Sequence, residues 1–104
     1  DHTFVIRGWK PDGSLRSVAM LRDPASGRSM EILSDQPGIQ VYTGNYLDGS
    51  LVGKGGARYG KQSAVCLETQ KYPDAIHHEG DAAWPSVRLD PGQVYRHTMV
   101  HRFR

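Results

Sequence analysis

A chain of 104 residues makes one domain at most, and at that size folding buries roughly two thirds of the unfolded surface. Its formal net charge of +2, from 13 Lys+Arg against 11 Asp+Glu, argues against nucleic acid and against an anionic membrane as partner. One cysteine cannot form an internal disulfide, which favours a reducing, cytoplasmic setting, and nothing approaches the roughly 18 consecutive apolar residues of a membrane-spanning helix.

Residues 3–7 alternate enough for a short strand, and Lys10-Pro11-Asp12-Gly13 has the composition of a turn. Residues 15–23 and 28–34 flank Pro24-Ala25-Ser26-Gly27 and predict a hairpin. In its second arm Met30, Ile32 and Ser34 share one face and Glu31 and Leu33 the other, so alternation leaves the buried face open. Gln36-Pro37-Gly38 then punctuates. Residues 39–43 predict the next strand, with Gln40 and Tyr42 opposite Ile39, Val41 and Thr43.

Residues 44–63 are glycine-rich and aperiodic, and loops of this length inside a compact domain are often functional. Within them, residues 49–55 imitate a phosphate loop. The spacing is one residue short, and Gly55 stands where Ser or Thr should hold magnesium, so nucleotide binding is set aside.

Residues 64–70 have the apolar and β-branched content of a buried strand, and Pro73 ends it. Period two places Val65, Leu67 and Thr69 on one face and Cys66, Glu68 and Gln70 on the other. A carboxylate in mid-strand is costly to desolvate unless a partner compensates, and perturbed carboxylates concentrate at working sites. Residue type alone balances that reading against a solvated Glu68 or one paired with arginine.

In residues 76–85, His77, His78, Glu79 and Asp81 are metal ligands by type only. Adjacent histidines on an irregular loop define neither a tetrahedral nor an octahedral set, and a surface loop is expected. Asp90-Pro91-Gly92-Gln93 is a reversal. Residues 94–103 predict the longest strand, with Tyr95, His97, Met99, His101 and Phe103 opposite Arg96, Thr98, Val100 and Arg102. His97 and His101, among core-type neighbours, are expected to be hydrogen-bonded structural histidines. Arg96, Arg102 and Arg104 gather on one face of this strand, expected to be solvated. No stretch has a helical period, so the chain predicts an all-β fold with turns at sandwich-like spacing.

Cys66-Leu67-Glu68-Thr69-Gln70 followed by Tyr72-Pro73-Asp74-Ala75 resembles the C-terminal signature of the aldose 1-epimerases, the galactose mutarotases. The resemblance extends to Asp1-His2-Thr3-Phe4 and to the run from Gln36 through Gly44-Asn45. It continues in Leu47-Asp48-Gly49, Gly53-Lys54-Gly55-Gly56, Leu89-Asp90-Pro91-Gly92 and Tyr95-Arg96-His97, in the family's order. It implies a β-sandwich of the galactose mutarotase-like supersandwich type. Residues 1–104 would supply its C-terminal strands, as the last third of a longer protein whose N-terminal portion is absent from this chain.

The resemblance also implies an isomerase that interconverts the α and β anomers of aldohexoses such as glucose and galactose, without metal, nucleotide or redox cofactor. Glu68 corresponds to the family's general base. Asp1 corresponds to the aspartate of its Asp-His-Asn-Phe motif, with Thr3 in place of the Asn, and Gln40 to a sugar-binding glutamine. The family's acid is a histidine of the upstream part, which also carries a further histidine and an arginine for the substrate. The implied partners are thus an aldohexose and the upstream part of the same protein. His2 turns away from Asp1 by alternation and is not assigned the acid's role. Trp84-Pro85, at the end of a loop longer than the family's, departs from the usual Phe-Pro and bears on the cleft rim. Two rivals stay open: a non-catalytic carbohydrate-binding relative, and a hexose-6-phosphate 1-epimerase. Alone, the chain is expected to be inactive.

Overall fold

The Asp23 carboxylate accepts hydrogen bonds from the Ala25 amide (3.1 Å) and the Ser26 hydroxyl (2.6 Å), and Gly27 takes a left-handed φ of 75°. That local chemistry reverses the chain and holds Asp23 below the usual carboxylate range. It is the turn of the predicted hairpin. In the computed structural model, which describes Asp1–Arg104, the strands are β1 (His2–Val5), β2 (Arg16–Arg22), β3 (Ser29–Ser34), β4 (Gly38–Tyr42), β5 (Cys66–Gln70) and β6 (Met99–Phe103). They form two three-stranded antiparallel sheets, β1-β4-β5 and β2-β3-β6, in an all-β architecture consistent with part of a β-sandwich. No helix is long and apolar enough to cross a membrane.

In β2-β3-β6, Ile32 is the partner of Ala19 on one side and His101 on the other, and both Ile32 and Ser34 are fully buried. The choice that alternation left open thus falls on the Met30–Ile32–Ser34 face. On the opposite face Glu31 accepts a hydrogen bond from Arg102 at 2.9 Å across the β3–β6 pair. The Ser17 hydroxyl and, next, the Arg102 guanidinium hold the Glu31 carboxyl below its usual range. Arg96 is not part of this group, because it lies outside β6.

Between β3 and β4 the chain passes from one sheet to the other through its most buried stretch. Ser34, Gln36, Pro37, Gly38 and Ile39 are all buried. Sequence pattern marks this segment as punctuation; the structure makes it the core, because both sheets meet there. Asp35 ties it down: its Oδ2 accepts from the Thr98 amide (2.9 Å), its Oδ1 from the Gln36 amide group (2.9 Å), and its backbone oxygen from the Trp9 indole (2.7 Å).

Those bonds also explain a correction to the last strand. Its pairing partner, β3, ends at Ser34, and Asp35 engages Thr98 where the ladder stops. Residues 94–98 therefore have no ladder, β6 covers only Met99–Phe103, and the seven-residue β2 is the longest strand. His97 accepts or donates a 2.9 Å hydrogen bond with the Thr69 hydroxyl, as expected of a structural histidine. His101 instead stacks on Phe103, 6.4 Å between centroids, and makes no side-chain hydrogen bond.

Residues 44–63 hold a 3₁₀ turn at Lys54–Gly56 and an isolated Val52–Arg58 bridge, with the Tyr59 hydroxyl packed directly over Gly53. That close approach is why residue 53 carries no side chain.

Only nine residues are buried, and the chain exposes 7725 Å², roughly a third more than the about 5,800 Å² of a compact monomer of this mass. Its radius of gyration is 16.7 Å, against about 13 Å for a compact chain of this length. These six strands do not enclose a core of their own.

Candidate active site

Residues directly opposite one another on antiparallel strands share a face of the sheet. Thr3 is opposite Gln40, and Gln40 is opposite Glu68, so β1, β4 and β5 set one polar row across the sheet. The Gln40 side chain joins the row at its centre. Its Oε1 accepts from the Thr3 hydroxyl, and its Nε2 donates to Asp1 Oδ2 at 2.8 Å. The candidate residues Asp1, Gln40 and Glu68, distant in sequence, thus come together, with Thr3 as a fourth member. His2 is opposite Val41, on the other face.

Glu68 is exposed and enters no hydrogen bond or ion pair. The expectation of a buried strand is corrected accordingly: β5 buries Thr69 and half-buries Leu67, while Cys66 and Glu68 lie open. The physical reason is that no other strand packs against the Gln40–Glu68 face, whereas Thr69 reaches His97 and Met99 behind it. No arginine neutralises the carboxylate, and space beside it is free.

Aromatic rings flank the polar row on both sides along β4. On one side Tyr42, opposite Cys66, stacks with Tyr46 at 5.9 Å and 19° between planes, and the Tyr42 hydroxyl accepts from the Tyr46 amide at 3.1 Å. On the other side the Tyr72 ring lies over Gly38, two residues before Gln40 and on its face. Burial pushes the Tyr72 phenol up from its usual range. The Tyr72 placement was not read from the sequence. Its only signal was Gly38 in a Pro-Gly step, which looked like turn chemistry.

Gly38 has its own test. A β-carbon there would stand 3.1 and 3.2 Å from Tyr72 ring atoms and 3.3 Å from the Gln70 carbonyl oxygen. Tyr72 cannot swing aside freely, because Trp84 packs edge-on against it at 5.6 Å. In the complete polypeptide, Gly38→Ala is therefore expected to lower stability by about 1–3 kcal/mol, measured by chemical denaturation, and adding Tyr72→Ala should relieve part of that loss.

The remaining ligand-type side chains of the following loop are committed locally. His77 Nδ1 pairs with Asp74, His78 stacks on Trp84 at 3.8 Å and 7°, and Glu79 accepts from Ser86 (2.7 Å) and the Val87 amide (2.8 Å). Chiefly through His77, the Asp74 carboxyl is held below the usual aspartate range. A carboxyl lowered in the folded state contributes stability above its unfolded value and loses it as pH falls through the folded one. The 3₁₀ turn Ala75–His78 should accordingly loosen only at pH below the ordinary aspartate range. In His77→Ala that loosening should move to higher pH, followed by NMR of the Asp74 carboxyl and the His78 amide.

The all-β sheet carries a Gln–Glu cross-strand pair flanked by aromatic rings, and comparison with known proteins names the family. Residues 1–102 match the family model described as aldose 1-epimerase. The chain belongs to the aldose 1-epimerase family. It is 46% identical over 103 residues to galactose mutarotase from Bos taurus and likewise to galactose mutarotase from Homo sapiens, covering 99% of this chain and 28% of each relative. It is 31% identical over 99 residues to aldose 1-epimerase from Haemophilus influenzae, covering 94% of this chain and 27% of that protein. The chain thus spans little more than a quarter of the length of the curated relatives it matches.

Proposed function

We propose that these residues are the base-bearing C-terminal portion of a mutarotase acting on aldohexoses. The observation that carries the reading is the row Asp1–Gln40–Glu68: a free carboxylate opposite an amide that is itself fixed by two partners. Gln40 and Asp1 offer donors and acceptors for sugar hydroxyls, and Tyr42, Tyr46 and Tyr72 offer faces for its C–H surfaces.

Glu68 takes the proton from the anomeric hydroxyl while an acid protonates the ring oxygen. The C1–O5 bond breaks to give the open-chain aldehyde, the C1–C2 bond rotates, and attack by O5 on the other face of the carbonyl restores the ring. Proton count is conserved, since each transfer reverses on closure. The acid is assigned to a histidine of the upstream part of the same polypeptide, in line with the family resemblance. The lone exposed thiol of Cys66 supports a cytoplasmic setting.

Freshly dissolved α-galactose or α-glucose, followed by polarimetry with the complete polypeptide, tests the reading: mutarotation should accelerate well above the spontaneous rate. A second reading rests on the openness of Glu68, which no acid faces within these residues: a carbohydrate-binding relative without turnover. Sugar binding with no acceleration would establish that one instead.

A further inference from the structure

The loop after β5 is braced from within. Glu79 reaches across it to accept from the Ser86 hydroxyl at 2.7 Å and the Val87 amide at 2.8 Å. Inside that clasp Asp81 turns the chain: its carboxylate accepts from the Ala83 amide at 2.9 Å and its backbone oxygen from the Trp84 amide at 2.9 Å. A carboxylate bonding the backbone two residues on is the chemistry of an Asx turn, and here it returns Trp84 to the Tyr72 ring. Of residues 76–85 only His78, Trp84 and Pro85 are half-buried; the rest are exposed.

The half-buried rings form a stack that ends on β4. His78 lies flat on Trp84, 3.8 Å between centroids and 7° between planes. Trp84 meets Tyr72 edge-on at 5.6 Å and 84°. Tyr72 in turn lies so close to Gly38 that a β-carbon there would stand 3.1 Å from its ring. Pro73 restricts the backbone of Tyr72 but not its side-chain rotamer. Gly38 gives the ring room to lie down, and Trp84 holds it there. The opposite wall needs no such brace, because Tyr42 and Tyr46 stack on each other and share a hydrogen bond.

We infer that Trp84, backed by His78, is a positioning residue: it holds the Tyr72 ring over Gly38 as one wall of the sugar site, and so sets how tightly the sugar binds without touching the reacting atoms. The inference rests on the proposal that this face of β1-β4-β5 receives an aldohexose. A ring free to change rotamer must be ordered when the sugar arrives, which weakens binding; a ring already held does not. Gly38 lies two residues along β4 from Gln40, roughly 7 Å, which places the wall beside the sugar and away from the proton transfer at Glu68. A contact made equally in ground and transition states acts on KM and leaves kcat alone.

Mutarotation kinetics on the complete polypeptide, read as a double-mutant cycle, test it. Trp84→Ala should raise KM for galactose about three- to tenfold, the range of one aromatic pair, with kcat within about twofold. Trp84→Phe keeps a ring edge against Tyr72 and should restore most of the parental KM. The decisive quantity is the coupling: once Tyr72→Ala is present, adding Trp84→Ala should raise KM no further, because its route to the sugar is gone. KM does not depend on the folded fraction, so a partial loss of folded protein does not imitate this result. Additive effects, a parental KM in Trp84→Ala, or a loss confined to kcat overturn the inference and leave the mutarotase reading standing. A parent protein that binds galactose without turnover sinks the mutarotase reading alone, and the same cycle is then read from Kd by titration calorimetry. A parent that neither turns galactose over nor binds it sinks both.

Discussion

Glu68→Gln in the complete polypeptide is expected to slow mutarotation by about 10²- to 10⁴-fold, the usual contribution of a positioned proton-transfer group. Glutamine keeps the shape and the acceptor oxygen of the carboxylate, so the loss should fall on kcat with KM within a few-fold of the parent protein. That split follows from geometry. In the proposed site the sugar contacts are assigned to Asp1 and Gln40, which hold each other at 2.8 Å without help from Glu68. Gln40→Leu should give the opposite signature, a raised KM, because it leaves the Asp1 carboxylate and the Thr3 hydroxyl without their shared partner. Polarimetry over a range of sugar concentrations reads both. Parental kcat in Glu68→Gln would falsify the assignment of the base.

Produced alone, residues 1–104 should associate and lack a sharp cooperative melt. The cause is the missing second layer. Phe4, Val5 and Phe103 are 56%, 69% and 73% exposed, though each is a large apolar residue within a strand. Apolar surface of this extent, together with unpaired edges at β1, β2, β5 and β6, is a template for self-association. Analytical ultracentrifugation across a concentration series should show mass rising with concentration, and thermal denaturation should be broad. A monomer with a single steep transition would contradict the account of an incomplete core.

Much of the fold is legible in the residues. Asp23 and Gly27 specify the β2–β3 hairpin by local chemistry alone, and β4 and β5 appear where alternation places them. The faces of Gln40 and Glu68 are equally a matter of parity. Less legible was whatever depends on a neighbour. Residues 94–98 have a strand's alternation but no strand, because β3 ends at Ser34 and nothing else stands beside them. Gln36-Pro37-Gly38 has the composition of an exposed turn, yet it is buried where the two sheets meet.

The candidate site divides in the same way. The resemblance of its motifs to the aldose 1-epimerases, in the family's order, singled out Asp1, Gln40 and Glu68, because a motif is a property of the chain itself. Their joining into one row was decided by register: Thr3 opposite Gln40 and Gln40 opposite Glu68. One step of slippage in a strand would send that strand's member of the row to the other face. The aromatic wall at Tyr72 was likewise a tertiary outcome, since its ring settles where glycine leaves room above residue 38. Local sequence fixes parity and turns, because these need only nearest neighbours; which faces are buried, and what meets across them, depends on strands far apart in the chain.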